Sequence, residues 1–204
     1  MDHLGIDHFI AVGWSMGGPY AAACAALLPD RVQGFALIAP APIGLDEVGG
    51  AERMGKAWAW QLARDDPWQL ADTFTRLGLE ARRNPSLAVE LFSLELSQPE
   101  LDAMSRSDVQ AEFLATIVEA TRQGAIGLVD DLRVEMQPWG FDPRAIDRPG
   151  FVWQGDEDTF STPAMAKQWG ENVAGLQVRI LPGEGHLFPF SWTNDILDAL
   201  ARFS

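Results

Sequence analysis

Phe9-Ile10-Ala11-Val12-Gly13-Trp14-Ser15-Met16-Gly17-Gly18-Pro19 is the stretch that decides the fold of this chain. Four apolar residues between Asp7 and Gly13 read as a short buried strand. The alanine-rich run that begins at Tyr20 reads as a helix, and Pro29 stops it. Between strand and helix, Gly13-Trp14-Ser15-Met16-Gly17 fits the pattern G-x-S-x-G. The turn there must be sharp, and glycine at both ends lets backbone segments approach where a side chain would clash. Such a turn lifts the Ser15 hydroxyl out of the sheet. It also leaves the Met16 backbone N–H at a helix amino end, where orphan donors and the helix dipole favour a developing oxyanion. Pro19 falls in the first helical turn, where a helix accepts proline at little cost.

Working outward, Gly34-Phe35-Ala36-Leu37-Ile38-Ala39 repeats the buried-strand pattern, so strand, helix and strand argue for a parallel βαβ unit. From residue 43 to 143 nothing alternates like a strand, and helical segments follow one another. Asp66-Pro67 and Asn84-Pro85 each place a capping side chain before a proline at the first helical position. Pro99 and Gly124 mark further breaks, and residues 127–136 read as one more helix. Strand signals return at Phe151-Val152-Trp153, which runs into Gly155. Thr162-Pro163 starts a helix through about residue 172, and Leu176-Gln177-Val178-Arg179-Ile180-Leu181 makes another strand. A last amphipathic helix is expected over about 193–203. The expected architecture is an α/β core from residues 1–42 and 144–204, with a mostly parallel sheet and a helical lid inserted over 43–143.

A serine hydroxyl is a poor nucleophile until a base takes its proton, and the base needs a group to orient it. His3 and His8 sit among Asp and Gly before the first strand and read as surface residues. His186 ends the glycine-rich stretch Leu181-Pro182-Gly183-Glu184-Gly185-His186, which can carry its ring back over a strand end. For the acid, Gly155-Asp156-Glu157-Asp158 offers three carboxylates after the third strand. Asp158 is chosen because the final position clears the strand end; Asp156 is the rival and Glu157 a weaker one. All three candidates follow strands, and in an open parallel sheet ligand sites gather outside those carboxyl ends.

The order Ser15, Asp158, His186 is nucleophile, acid, histidine. With Gly13-Trp14-Ser15-Met16-Gly17-Gly18, the 155–158 turn and Gly183-Glu184-Gly185-His186, the sequence resembles the α/β-hydrolase superfamily over essentially its whole length. It looks closest to lid-bearing esterase-like and C–C-bond-hydrolase-like members. The resemblance implies Ser15 as nucleophile, Asp158 as orienting acid, His186 as general base, the Met16 N–H as an oxyanion donor and Trp14 beside the substrate. A serine at the elbow argues against haloalkane dehalogenases and epoxide hydrolases, whose nucleophile is an aspartate. Family members usually carry three or four strands and an oxyanion loop before the elbow. The resemblance therefore also implies a partial fold, lacking roughly 80–100 N-terminal residues, a size that fits the few βα units involved. A missing second oxyanion donor typically costs about 10²–10³ in rate, and the strand at Phe9 would become an exposed apolar edge open to self-pairing.

Composition narrows the partners. The 204 residues carry 15 Lys+Arg against 29 Asp+Glu, a net charge of −14, which disfavours nucleic acid and anionic membrane surfaces. With 47% apolar residues, 8 Trp and 11 Phe, the chain can build a core and is not a disordered tail. One cysteine, Cys24, has no partner for an internal disulfide and reads as a packing residue. No signal peptide or span-length apolar run is visible, so a cytoplasmic protein is expected. Trp58, Trp60, Trp68, Phe74 and Phe92 have helical spacing that assigns most of them to core packing, with an apolar acyl pocket as their alternative role. No residue spacing suggests a metal or a nucleotide, so no cofactor is expected.

Two functions follow from these readings. One is a serine hydrolase acting on a small ester or related acyl substrate through an acyl-serine intermediate. The other is a truncated, weakly active or inactive remnant that needs a partner, or a homodimer through the exposed sheet edge, for stability.

Overall fold

A computed structural model describes residues 1–44, 58–94 and 96–203. Four parallel strands, β1 (Phe9–Trp14), β2 (Val32–Ile38), β3 (Gly150–Gly155) and β4 (Gln177–Leu181), pair in sequence order. Helix α1 (Gly17–Leu27) joins β1 to β2, α8 (Pro163–Asn172) joins β3 to β4, and α9 (Pro189–Leu200) follows β4. Between β2 and β3 lie α2 (Trp58–Asp65), α3 (Pro67–Arg83), α4 (Pro85–Ser93), α5 (Gln98–Met104), α6 (Ser107–Ala120) and α7 (Ile126–Glu135). Residues 45–57, within the expected 43–143 insertion, lie outside the described residues.

Strand alternation assigns the two faces of the sheet. Phe35 and Leu37 of β2, with Ala11 and Val152, pack under α1 and α8 against Ala21, Ala22, Ala25, Ala166 and Trp169. Ala36 and Ile38, with Phe151, Trp153 and Leu181, face α9 through Phe188, Ile196 and Leu200. Burial on both faces is why β2 and β3 read as unbroken apolar runs rather than alternating ones. The small side chains of α1 let that helix lie close to β1 and β2. Cys24 is half-buried there and packs against the same cluster. At the other end of the order, β1 pairs only with β2 among the described residues, and Val12 and Trp14 remain 50% and 38% exposed.

The predicted helix starts are visible as hydrogen bonds. Asp66 Oδ1 accepts from Gln69 N at 2.9 Å, and Asn84 Oδ1 accepts from Leu87 N at 3.4 Å, each with proline at the first helical position. Two expectations need correction. Helix α9 begins at Pro189 rather than near 193, because proline at the first position lacks only an N–H that would have no helical partner. Trp68 does not pack: it is 75% exposed, two residues and so about 200° around α3 from buried Leu70. Trp60 does enter the core, Trp58 stacks on Phe74, and Phe92 stacks on Phe113.

The helices between β2 and β3 meet the sheet's helical layer through an apolar cluster of Trp60, Ala63, Leu70, Val129, Leu132 and Met136 with Met165 of α8, and Met16 packs against it. Glu135, at the end of α7, is buried in this region. Its Oε2 accepts from Trp60 Nε1 at 3.2 Å, while Oε1 has no partner. Burial pushes this carboxyl from 4.5 up to about 8, and the nearby Asp131 charge pushes the same way. The folded state therefore holds a proton that the unfolded chain releases near 4.5, so stability is complete below that pH and falls as pH rises through about 8. At about 1.4 kcal/mol per unit, the loss between pH 5 and 9 is on the order of 4 kcal/mol. Urea unfolding at these two pH values should show this decline in the wild type and a much flatter profile in Glu135→Gln. A wild-type midpoint that does not fall between them contradicts the assignment.

Candidate active site

Ser15 sits immediately after β1 with φ +55, in the left-handed region that a serine rarely occupies. Ser15 N donates to Ile38 O at 2.8 Å, and Ser15 O accepts from Gly18 N and Ala41 N, each at 3.0 Å. These bonds tie the turn to the end of β2 and hold the strained residue in place. Gly13 is needed because a Cβ there would lie 2.0 Å from Gly17 O. The expectation that both motif glycines serve close approach is only half met. A Cβ at Gly17 would meet nothing within 4 Å, whereas one at Gly18 would lie 2.7 Å from Pro40 Cβ. Met16 caps α1 in helical conformation, so its N–H stands at the helix amino end beside Ser15.

The loops after β3 and β4 bring Asp158 and His186 together. His186 Nδ1 lies 2.8 Å from Asp158 Oδ2, and the carboxylate side chain is fully buried. Asp158 Oδ1 accepts from Phe160 N at 2.8 Å and Ser161 N at 2.9 Å, and Oδ2 also accepts from Gln154 Nε2 at 2.9 Å. Those partners are all donors, which suits an acceptor-only carboxylate. Nδ1 then carries the proton and Nε2 is left as the acceptor. Asp156 is engaged elsewhere: its Oδ1 accepts from Gly183 N at 2.6 Å and closes the β4 loop. Glu157 is exposed, as are His3 and His8.

Ser15, Asp158 and His186 all follow carboxyl ends of parallel strands, at one end of the sheet. The Trp14 ring lies 5.8 Å from the His186 ring and meets Phe190 edge-on, and the Phe160 ring lies 5.1 Å from His186 on centroids. These rings leave His186 8% exposed. No hydrogen bond links Ser15 Oγ to the imidazole in this arrangement. A groove of about 450 Å³ lies apart from these residues, between β4 and α9, and a second of about 290 Å³ runs between α5 and the His186 loop. No group of three or more His, Cys, Asp or Glu among the described residues is arranged to hold a metal ion. No helix of the described residues is long and apolar enough to cross a membrane.

The sequence profile of the alpha/beta hydrolase fold matches residues 1–191. The chain belongs to this family. No curated protein matches it significantly in sequence. Among solved structures, it is similar to a hydrolase from Pseudomonas aeruginosa at 18% identity, covering 99% of this chain and 66% of that one, with a TM-score of 0.63. An enol-lactonase from Burkholderia xenovorans is 22% identical over all of this chain and 68% of its own, with a TM-score of 0.60. An esterase from a Rhodococcus species is 19% identical over all of this chain and 69% of its own, with a TM-score of 0.62. This α/β hydrolase thus spans about two thirds of the length of the structures it resembles.

Three residues around the site of this α/β hydrolase escape a reading of motifs. Gln154, inside β3, shares the two hydrogens of Nε2 among Asp158, Gly155 O and Ser161 O, and so braces the carboxylate from below. Phe160 supplies both an N–H to Asp158 and a ring against His186. Glu100 reaches the histidine loop from α5, where the spacing Ser97-x-x-Glu100 signals only a helix cap.

Proposed function

We propose that this chain is a serine hydrolase acting on a small ester or related acyl substrate. The observation that carries the reading is the His186–Asp158 contact at 2.8 Å, set at the same end of the sheet as a strained serine. In the proposed reaction, His186 Nε2 takes the Ser15 Oγ proton as Oγ attacks the substrate carbonyl. The Met16 N–H faces the resulting oxyanion. Collapse breaks the bond to the leaving alcohol, which takes the proton from His186. Water then attacks the acyl-serine with His186 again as base, releasing the acid and restoring Ser15. Asp158 orients the imidazole and stabilises its charged form. The helices between β2 and β3 act as the lid over this end of the sheet, and the contact of their apolar cluster with Met16 supports that role.

The esterase and lactonase neighbours favour carboxylic esters over other acyl groups as first substrates. Incubation with a fluorophosphonate probe should label Ser15, mapped by peptide mass spectrometry. A p-nitrophenyl ester series from acetate to decanoate should then show turnover with a chain-length preference. Well-folded protein that neither labels nor hydrolyses any member of the series sinks the reading.

A further inference from the structure

Glu100 belongs to the inserted helices, in the first turn of α5, yet it is fully buried. Its Oε2 accepts from Ser97 N at 3.0 Å, which is its half of a capping box, and also from the Ser97 hydroxyl. A capping role ends there and leaves the other oxygen to water. Here Oε1 accepts instead from the backbone N–H of His186 at 2.5 Å. The chain beside it has no slack, because a Cβ at Gly185 would lie 2.2 Å from Glu100 Oε1 and 3.0 Å from Pro99 Cβ. A further tie flanks this one: Arg106 Nη1 donates to Ser191 Oγ of α9 at 3.2 Å, across the groove between α5 and the histidine loop.

His186 is therefore held at two points from two parts of the fold. Asp158, on the β3 loop, fixes the ring through Nδ1, and Glu100, on the insertion, fixes the main chain. Other bonds close the loop at Gly183 and Glu184, while at His186 itself the main chain bonds to Glu100, and a misplacement of about 1 Å in a reacting group costs about 10²-fold in rate.

We propose that Glu100 is a positioning residue for His186, coupling the docking of α5 to the placement of the imidazole. This rests on the serine-hydrolase reading for its kinetic consequence, but the clamp itself can be read without turnover. In Glu100→Ala, amide exchange at His186 should quicken about ten- to a hundredfold, and its N–H resonance should move upfield as the bond is lost. Turnover of the best p-nitrophenyl ester should fall about 10- to 100-fold in kcat, with KM changed less than about threefold. Glu100→Gln keeps an oxygen for the His186 N–H and should recover kcat to within about fivefold of wild type. If Glu100→Ala does not fold, Gly185→Ala decides, since its Cβ displaces the same oxygen and should lower kcat in the same way. Unchanged exchange and kcat in a folded Glu100→Ala, even with a lower melting temperature, overturns the proposal and leaves Glu100 a helix cap. Wild-type protein that shows slow His186 exchange but neither labels nor turns over refutes the hydrolase reading instead.

Discussion

Replacing Ser15 with alanine is expected to remove fluorophosphonate labelling entirely and to cut ester turnover by about 10⁴- to 10⁶-fold. The size follows from the role proposed for Oγ. Without it no acyl-enzyme forms, and what remains is binding plus whatever the Met16 N–H contributes to an uncatalysed attack by water. Stability should hardly move. Ser15 is only half-buried, its backbone bonds to Ile38, Gly18 and Ala41 use main-chain atoms, and alanine at φ +55 bears much the same strain as serine. The melting temperature therefore serves as the control that the turn survives. Glycine, which tolerates positive φ, should raise it slightly while being equally inactive. Turnover that persists within tenfold of wild type in the alanine variant would place the chemistry on another residue.

The parts of this molecule that follow from local chemistry were readable in advance. Buried parallel strands read as apolar runs, Asp66 and Asn84 read as caps before prolines, and the serine turn reads from its glycines. What stayed hidden depends on residues far apart in the chain. Nothing near Gln154 says that its amide will lie under Asp158, because β3 would accept any buried side chain until the β3 loop folds back over it. Glu100 satisfies its own helix signature so completely that its second oxygen, bound 86 residues away, gives no signal. Nothing in the helix read over 127–136 marks Glu135 as the residue that will be buried against Trp60, a contact set by the packing of α2 on α7. The pattern Gly13-x-Ser15-x-Gly17 even misdirects at its last position, where the close approach is made by Gly18 against Pro40.

Buried polar residues also tie down the histidine loop, whereas the serine turn is strained. Seven donors, from the five residues Gln154, Phe160, Ser161, Ser97 and His186, converge on the two carboxyls of Asp158 and Glu100 that flank the loop. Each such bond to a charged acceptor is worth about 1.5–3 kcal/mol where it is kept and costs more where one partner is lost. An isosteric substitution here, which keeps most of these bonds, should therefore disturb position before it disturbs folding.

The comparison of Asp158→Asn with Asp156→Asn uses that property to identify the acid. In Asp158→Asn, the oxygen must stay with the Phe160 and Ser161 N–H groups, so the new amide nitrogen faces His186 Nδ1 and Gln154 Nε2. Nitrogen facing Nδ1 makes it an acceptor, moves the ring proton to Nε2, and leaves no base for Ser15. A wrong tautomer in otherwise intact geometry costs about 10³- to 10⁴-fold in kcat, with KM nearly unchanged, and labelling by the fluorophosphonate should slow in proportion. Asp156→Asn retains an oxygen for Gly183 N and should keep kcat within about threefold, because that bond closes a loop and touches no reacting group. Activity lost in the 156 variant and kept in the 158 variant would reassign the acid and would mean that the β3 loop rearranges when substrate binds.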